Sequence, residues 1–358
     1  MISLSEFGKF FLTAPYTLVL YIIIVTPVCN LKCRYCGGSL HGMPEEISYD
    51  MNELANFIEK DKEAVVAFYG GEPLLKAEKV KKLIDILPAK KFVLQTNGFF
   101  IEKLGKYIHK FDSILLSIDG REEITDFYRC PGCYEKVMNA LKYLLNNDFD
   151  GEIIARMAVS YKTDIYEDVM HLLKYFPFVH WQLDAVWSNL WGPKEFKKWA
   201  EKNYKPGIKK LINIWIENMD KGKILGIVPF LGIASRILHG GIVPPCGAGK
   251  EAIAITTDGK ILACPIAPDF QWNVLGDFHG YERIEIGEPC KSCEVYGVCG
   301  GRCLFAYKEK LWGEEGFREI CEITKFTITG IKKHMDLLSK YKMELRYPPY
   351  NNTTEIIP

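Results

Sequence analysis

The stretch CNLKCRYC, residues 29 to 36, sets three thiols, Cys29, Cys33 and Cys36, within eight positions of chain. Thiolates select soft metals such as zinc or iron–sulfur clusters. A structural zinc or a cubane cluster takes four ligands, so this loop is one short. Either a distant residue completes a zinc site, or the loop wraps three irons of a cubane and leaves the fourth open to another molecule. Only His41 stands close by, and the Cys-x3-Cys-x2-Cys spacing suits a cluster better than the paired CxxC of zinc knuckles.

Nine further cysteines bring the total to twelve. Cys246, Cys264, Cys290, Cys293, Cys299, Cys303 and Cys321 crowd the C-terminal third, with Gly259 four intervening residues before Cys264. A zinc ribbon would use four of the seven and strand three. One cluster with four ligands and one with three use them all. Cys130 and Cys133, in YRCPGCYEKV, read as a turn whose thiols form a local disulfide or stay reduced. A reducing cytosol argues against disulfides as the general explanation for twelve cysteines.

These residues need elements to position them. Apolar runs at Leu18–Val25, Ala64–Tyr69, Lys91–Thr96, Ser113–Ile118, Ile153–Val159 and His180–Leu183 alternate with helical patterns such as MNELANFIEKD and YEKVMNALKYLLNN. Strand–helix–strand spacing of this kind builds right-handed crossovers and a parallel sheet. Six units fall short of a closed eight-stranded barrel, so the expected fold is α/β, a partial (β/α)6 barrel with a small cysteine-rich C-terminal domain. The expected division is barrel 1–193, helical linker 194–245, cysteine-rich domain 246–330, and a C-terminal helix and extended tail 331–358. Ligands gather past the C-terminal ends of parallel strands. There stand CNLKCRYC after the first strand, YGGEP after the second, QTNG after the third and SIDG after the fourth.

Lys+Arg 45 balance Asp+Glu 45 in 358 residues, so no basic nucleic-acid footprint shows. The apolar run YTLVLYIIIV has about half the length of a membrane span and lacks signal-peptide flanks. A cytoplasmic setting, without membrane or nucleic-acid partner, is the expectation.

On these residues the chain resembles radical S-adenosylmethionine (SAM) enzymes, from CNLKCRYC with its aromatic Tyr35, through YGGEP, QTNG and LSIDG, to Arg156 in IIARMAVS. The resemblance implies a [4Fe–4S] cluster on Cys29, Cys33 and Cys36 whose open iron binds SAM. It implies SAM contacts from Tyr35, Gly70, Gly71, Glu72, Gln95, Asn97, Ser117 and Arg156, and it turns Asp119 toward the substrate cavity. The later cysteines resemble the SPASM extension of peptide-modifying members. That implies one auxiliary [4Fe–4S] cluster on Cys290, Cys293, Cys299 and Cys321 and a second on Cys246, Cys264 and Cys303. The implied partners are a peptide or protein substrate and reduced ferredoxin or flavodoxin as electron donor. Rival readings are chemistry on a small molecule such as a haem precursor, and a non-catalytic iron–sulfur carrier or zinc scaffold. Where anaerobic sulfatase maturases carry Asp after the cysteine matching Cys264, this chain has Pro265, which argues against formylglycine formation. Only 28 residues precede Cys29, too few for a winged-helix leader-binding domain.

Overall fold

The computed structural model describes residues 20–36, 42–185, 190–241, 244–266, 268–310 and 312–345. The six apolar runs form six parallel strands in chain order: β1 (Leu20–Thr26), β2 (Val65–Gly70), β3 (Lys91–Thr96), β4 (Ser113–Ser117), β5 (Glu152–Val159) and β6 (Phe178–Leu183). All seven residues of β1 are buried, because helices cover one face of such a sheet and side chains fill the other. The crossover helices start on capping carboxylates. Asp50 accepts from the Asn52 N–H ahead of Met51–Glu59, and Asp164 accepts from the Tyr166 and Glu167 N–H groups ahead of Ile165–Leu172. Leu54 and Ile58, and Val137, Ala140, Leu141 and Leu144, supply the apolar stripes that lie on the sheet.

The sheet runs on beyond the six expected strands. β7 (Gly226–Ile227) adds parallel to β6, and β8 (Ala252–Ile255) adds parallel to β1. From β8 an antiparallel ribbon follows through β9 (Ile261–Leu262), β10 (Val274–Asp277) and β11 (Gly280–Tyr281). One eleven-stranded sheet therefore joins the barrel strands to the C-terminal cysteines. β8 carries four buried residues, Ala252 to Ile255, and covers the edge of β1 that would otherwise expose unpaired backbone.

Helices Pro193–Trp199, Lys205–Asp220 and Val228–His239 pack with Gly313–Lys332 beside β6. Trp199, Leu211, Ile212 and Trp215 are buried in this layer, and Ile216 packs against it. Trp191 belongs to the same core rather than to a groove. It is 6% exposed, its indole N–H donates to the Asp184 carbonyl, and its ring meets Phe196, Trp199 and Trp312. Trp187, His41, and the tail from residue 346 lie outside the described residues.

Candidate active site

The cysteine loop after β1 has almost no regular structure of its own. Neighbouring strand ends hold it instead. The Gly71 and Glu72 N–H groups donate to the Thr26 and Val28 carbonyls at 2.8 and 2.9 Å. The Asn97 amide donates to Asn30 at 2.8 Å, and the Arg34 N–H to the Tyr128 carbonyl at 2.7 Å. Tyr35 donates its phenol to Asp119 at 2.8 Å. These bonds draw in the loops after β2, β3 and β4.

The two glycines of YGGEP have a packing reason. Gly70 has φ +145°, and a Cβ there would lie 2.3 Å from the Thr26 carbonyl oxygen. A Cβ on Gly71 would lie 2.3 Å from the Val28 carbonyl oxygen. Side chains at either position would push the cysteine loop off its seat. The expectation was close approach to SAM; the contact found is with the backbone leading into Cys29.

Glu72, expected as a SAM contact, also has protein partners of its own. It is 1% exposed, and its oxygens accept from the Leu74 N–H, the Thr96 hydroxyl and the Asn97 N–H at 2.7 to 2.9 Å. Burial pushes its carboxyl up to about 6, against the pull of those donors. Glu72 is a strut between the ends of β2 and β3.

Asp119 was expected to face the substrate cavity, and the structure puts it behind the cavity wall. The side chain is fully buried, and both oxygens bind the Arg129 guanidinium, at 2.7 and 2.8 Å. Tyr35 and the Ala158 N–H donate to it as well. Burial works to lower the Arg129 pKa, and the Asp119 charge overcomes this and holds the guanidinium protonated. Such a bidentate pair is geometrically specific. It fixes Tyr35, and through Tyr35 the loop.

A cavity of about 620 Å³ opens at the C-terminal ends of β1 to β6. Cys29, Cys33, Tyr35, Cys36, Gly70, Gly71, Glu72, Gln95, Asn97, Ser117 and Arg156 all line it, so every expected cofactor contact meets at one place. Its size suits a small-molecule site. Burial pushes the Cys33 thiol up to about 11, so an iron ion that replaces the proton is what would hold it as thiolate.

The C-terminal thiols line two separate cavities, grouped as the SPASM resemblance implies. Cys290, Cys293, Cys299 and Cys321 line one small cavity, and Cys246, Cys264 and Cys303 another. Burial, then the neighbouring thiols, push Cys290 and Cys321 up to about 11. Among the described residues no three Cys, His, Asp or Glu side chains converge on a point suited to a single metal ion. Thiolates on one zinc must crowd around it at about 2.3 Å, whereas a cubane spreads its thiolates over separate irons. The arrangement fits clusters.

Several important residues escaped the sequence reading. Asn273 is buried and brackets Cys264, accepting from its N–H and donating to its carbonyl, each at 2.9 Å. Tyr69 and Gln182, together with Gln95 and Arg156, line both the 620 Å³ cavity and the three-thiol cavity. Cys130 and Cys133 are disulfide-bonded at the start of helix Cys133–Asn146, apart from all three thiol sets.

This geometry is that of a radical SAM barrel with a cysteine-rich extension. Residues 23–176 match the Radical SAM superfamily, so this segment is a radical SAM domain. The chain is 24% identical over 323 residues to the cysteine-type anaerobic sulfatase-maturating enzyme of Clostridium perfringens (strain 13 / Type A), covering 77% of this chain and 85% of that protein. It is 22% identical over 371 residues to the radical SAM cyclopropyl synthase TigE of Paramaledivibacter caminithermalis, covering 90% and 75%. Among solved structures, native anSMEcpe with bound AdoMet and Cp18Cys peptide superposes with a TM-score of 0.68 at 20% identity, covering 90% of this chain and 99% of that one. Streptococcus suis SuiB bound to precursor peptide SuiA gives 0.52 at 12%, covering 84% and 74%. Both share the fold.

Proposed function

We propose that this enzyme uses SAM to carry out an oxidative modification of a peptide or protein side chain. The observation that carries this reading is the shared wall of Tyr69, Gln95, Arg156 and Gln182. A substrate residue seated against it has the cysteine-loop cavity on one side and Cys246, Cys264 and Cys303 on the other. A mere electron carrier has no need of the first cavity. The relatives support a peptide substrate, since they include a sulfatase-maturating enzyme and the solved neighbours anSMEcpe and SuiB are bound to peptides.

When bound, a [4Fe–4S] cluster and SAM supply reductive cleavage of the sulfonium and a 5′-deoxyadenosyl radical that abstracts hydrogen. The chain's own residues place and shield that chemistry. Cys29, Cys33 and Cys36 ligate the cluster, and Gly71, Glu72, Asn97 and Tyr35 fix their loop. Gln95, Ser117 and Arg156 line the cavity at the strand ends and would contact SAM there. Cys290, Cys293, Cys299 and Cys321 hold one auxiliary cluster, and Cys246, Cys264 and Cys303 the other. A cluster held by Cys246, Cys264 and Cys303 would supply a one-electron acceptor beside the shared wall. Asp119 is a positioning residue, acting through Tyr35. Pro265 lines the three-thiol cavity, and no carboxylate lines it among the described residues. That disfavours the formylglycine chemistry for which sulfatase maturases carry an acid there.

Reduced ferredoxin or flavodoxin is the electron donor, and the reducing cytoplasm the setting. No described helix is long and apolar enough to cross a membrane. The test is anaerobic reconstitution followed by dithionite and SAM. Iron and sulfide near about 12 each per chain, with 5′-deoxyadenosine formed, bear the reading out. A fully loaded first cluster without SAM cleavage sinks it. Mass spectrometry of a candidate peptide co-expressed with the chain then separates peptide modification from chemistry on a haem precursor.

A further inference from the structure

Arg236 sits in helix Val228–His239, outside every motif used so far, and is 5% exposed. Its Nε–H donates to the Val298 carbonyl at 2.6 Å, one residue before Cys299. Its Nη2 is buried without a hydrogen-bond partner. No carboxylate pairs with it among the described residues, although a buried guanidinium demands a counter-charge. Its electrostatic neighbours are the thiols of Cys299 and Cys246, one from each C-terminal set, which would be charged as cluster ligands. Helix Val228–His239 packs directly on the short helix Tyr296–Cys299, so the position comes from the fold and not from a flexible side chain reaching over.

We infer that Arg236 is the shared counter-cation of the two C-terminal thiol sets, its unpartnered Nη2 donating to cluster-bound sulfur and its charge easing reduction of the clusters. This rests on the cluster reading above. Four thiolates around a cubane leave the assembly anionic, and each added electron makes it more so. A fixed buried cation therefore favours the reduced form, and hydrogen bonds to the sulfurs act in the same direction. A purely structural arginine would need only its Val298 bond. The orphaned Nη2 and the missing carboxylate are what a thiolate-bound cluster explains.

The test uses reconstituted full-length chain in a Cys29→Ala/Cys33→Ala/Cys36→Ala background, so that only the C-terminal clusters give signals. Potentiometric titrations followed by electron paramagnetic resonance compare Arg236, Arg236→Gln and Arg236→Lys. The expected result is retained iron in all three, with at least a tenfold shift of the reduction equilibrium toward the oxidised form in Arg236→Gln. That is about 59 mV for one electron. Arg236→Lys, which keeps the charge, should recover more than half of it. Iron lost from Arg236→Gln but kept in Arg236→Lys also supports the inference, because charge is what separates the two. Equal potentials with iron retained overturn it, as does equal iron loss from both variants, which marks a packing role. If the Arg236 background itself binds no C-terminal iron, the cluster reading fails instead.

Discussion

The chain holds its thiols in two ways. Cys29, Cys33 and Cys36 lie in an irregular loop, yet five hydrogen bonds from three neighbouring loops and the Tyr128 carbonyl seat it. The partners of the loop in these bonds stand just past β2, β3 and β4 and at Tyr128, and two of them, the donor Glu72 N–H and the acceptor Asp119, belong to residues locked by buried networks of their own. Around Cys246, Cys264, Cys290 and Cys303 there is far less: a small core of Ala248, Ala263, Ile286 and Leu304, and a helix of four residues, Tyr296–Cys299. So small a core contributes little stability by itself. The barrel seats its cysteine loop through its own hydrogen bonds, whereas bound clusters would have to help hold the segment around Cys246, Cys264, Cys290 and Cys303.

The largest effect tests whether the two regions are separate at all. Cys29→Ala, Cys33→Ala and Cys36→Ala should each abolish 5′-deoxyadenosine formation while iron falls only from about 12 to about 8 per chain. Iron analysis beside product chromatography checks both halves. C-terminal iron lost along with the first cluster would erase the distinction.

Next comes removal of all iron by an anaerobic chelator. Metal-dependent folding predicts that amides in residues 284–310 lose most of their hydrogen-exchange protection. Those of β1 to β6 should keep theirs. Exchange read by peptide mass spectrometry decides the matter, and equal loss in both regions would show that the barrel leans on its metal too.

The third effect is about 3–5 kcal/mol, the cost of stripping one partner from a buried ion pair. Arg129→Met leaves Asp119 buried with only the Tyr35 phenol and the Ala158 N–H. Urea unfolding should show that loss, and Asp119→Asn in the same chain should restore part of it. SAM affinity should fall as well, because Tyr35 loses its fixed acceptor. A variant with unchanged stability would mean that the pair is not the loop's anchor.

These networks also mark where the sequence stopped being readable. The six strands were legible because burial on both faces writes a continuous apolar run, as in LYIIIVT. The grouping of the C-terminal thiols came from the SPASM resemblance and not from local spacing, which would have set Cys303 beside Cys299. The roles of Asp119 and Glu72 were not legible. Tyr35 meets Asp119 across 84 positions, and Thr96 meets Glu72 across 24, and no periodicity records such pairings. β8 looked like any short apolar run, and nothing in AIAI names β1 as its partner. For Gly70 and Gly71 the motif shows that backbone comes close, and the structure adds a second close neighbour, the backbone leading into Cys29.

The smallest effect belongs to Glu72 and to the barrel alone. In iron-free protein its carboxyl titrates near about 6, against an ordinary value of 4.5. Between those values the folded state holds a proton that the unfolded state has released. Stability therefore declines as pH rises through about 6 and is fully regained below about 4.5, an effect of about 2 kcal/mol. Other groups titrate in the same window, so the measurement is a difference. Urea unfolding at pH 5 and pH 7.5 should show wild type gaining about 1 kcal/mol more on acidification than Glu72→Gln, which has no proton to take up. The glutamine keeps an acceptor for Thr96 and Leu74 but turns an N–H₂ toward the Asn97 N–H, so the variant should also be weaker at both pH values. Identical pH dependence in the two proteins would mean that Glu72 is solvated in solution. The strut between β2 and β3 would then be lost, and with it the claim that the barrel seats its cysteine loop before any metal arrives.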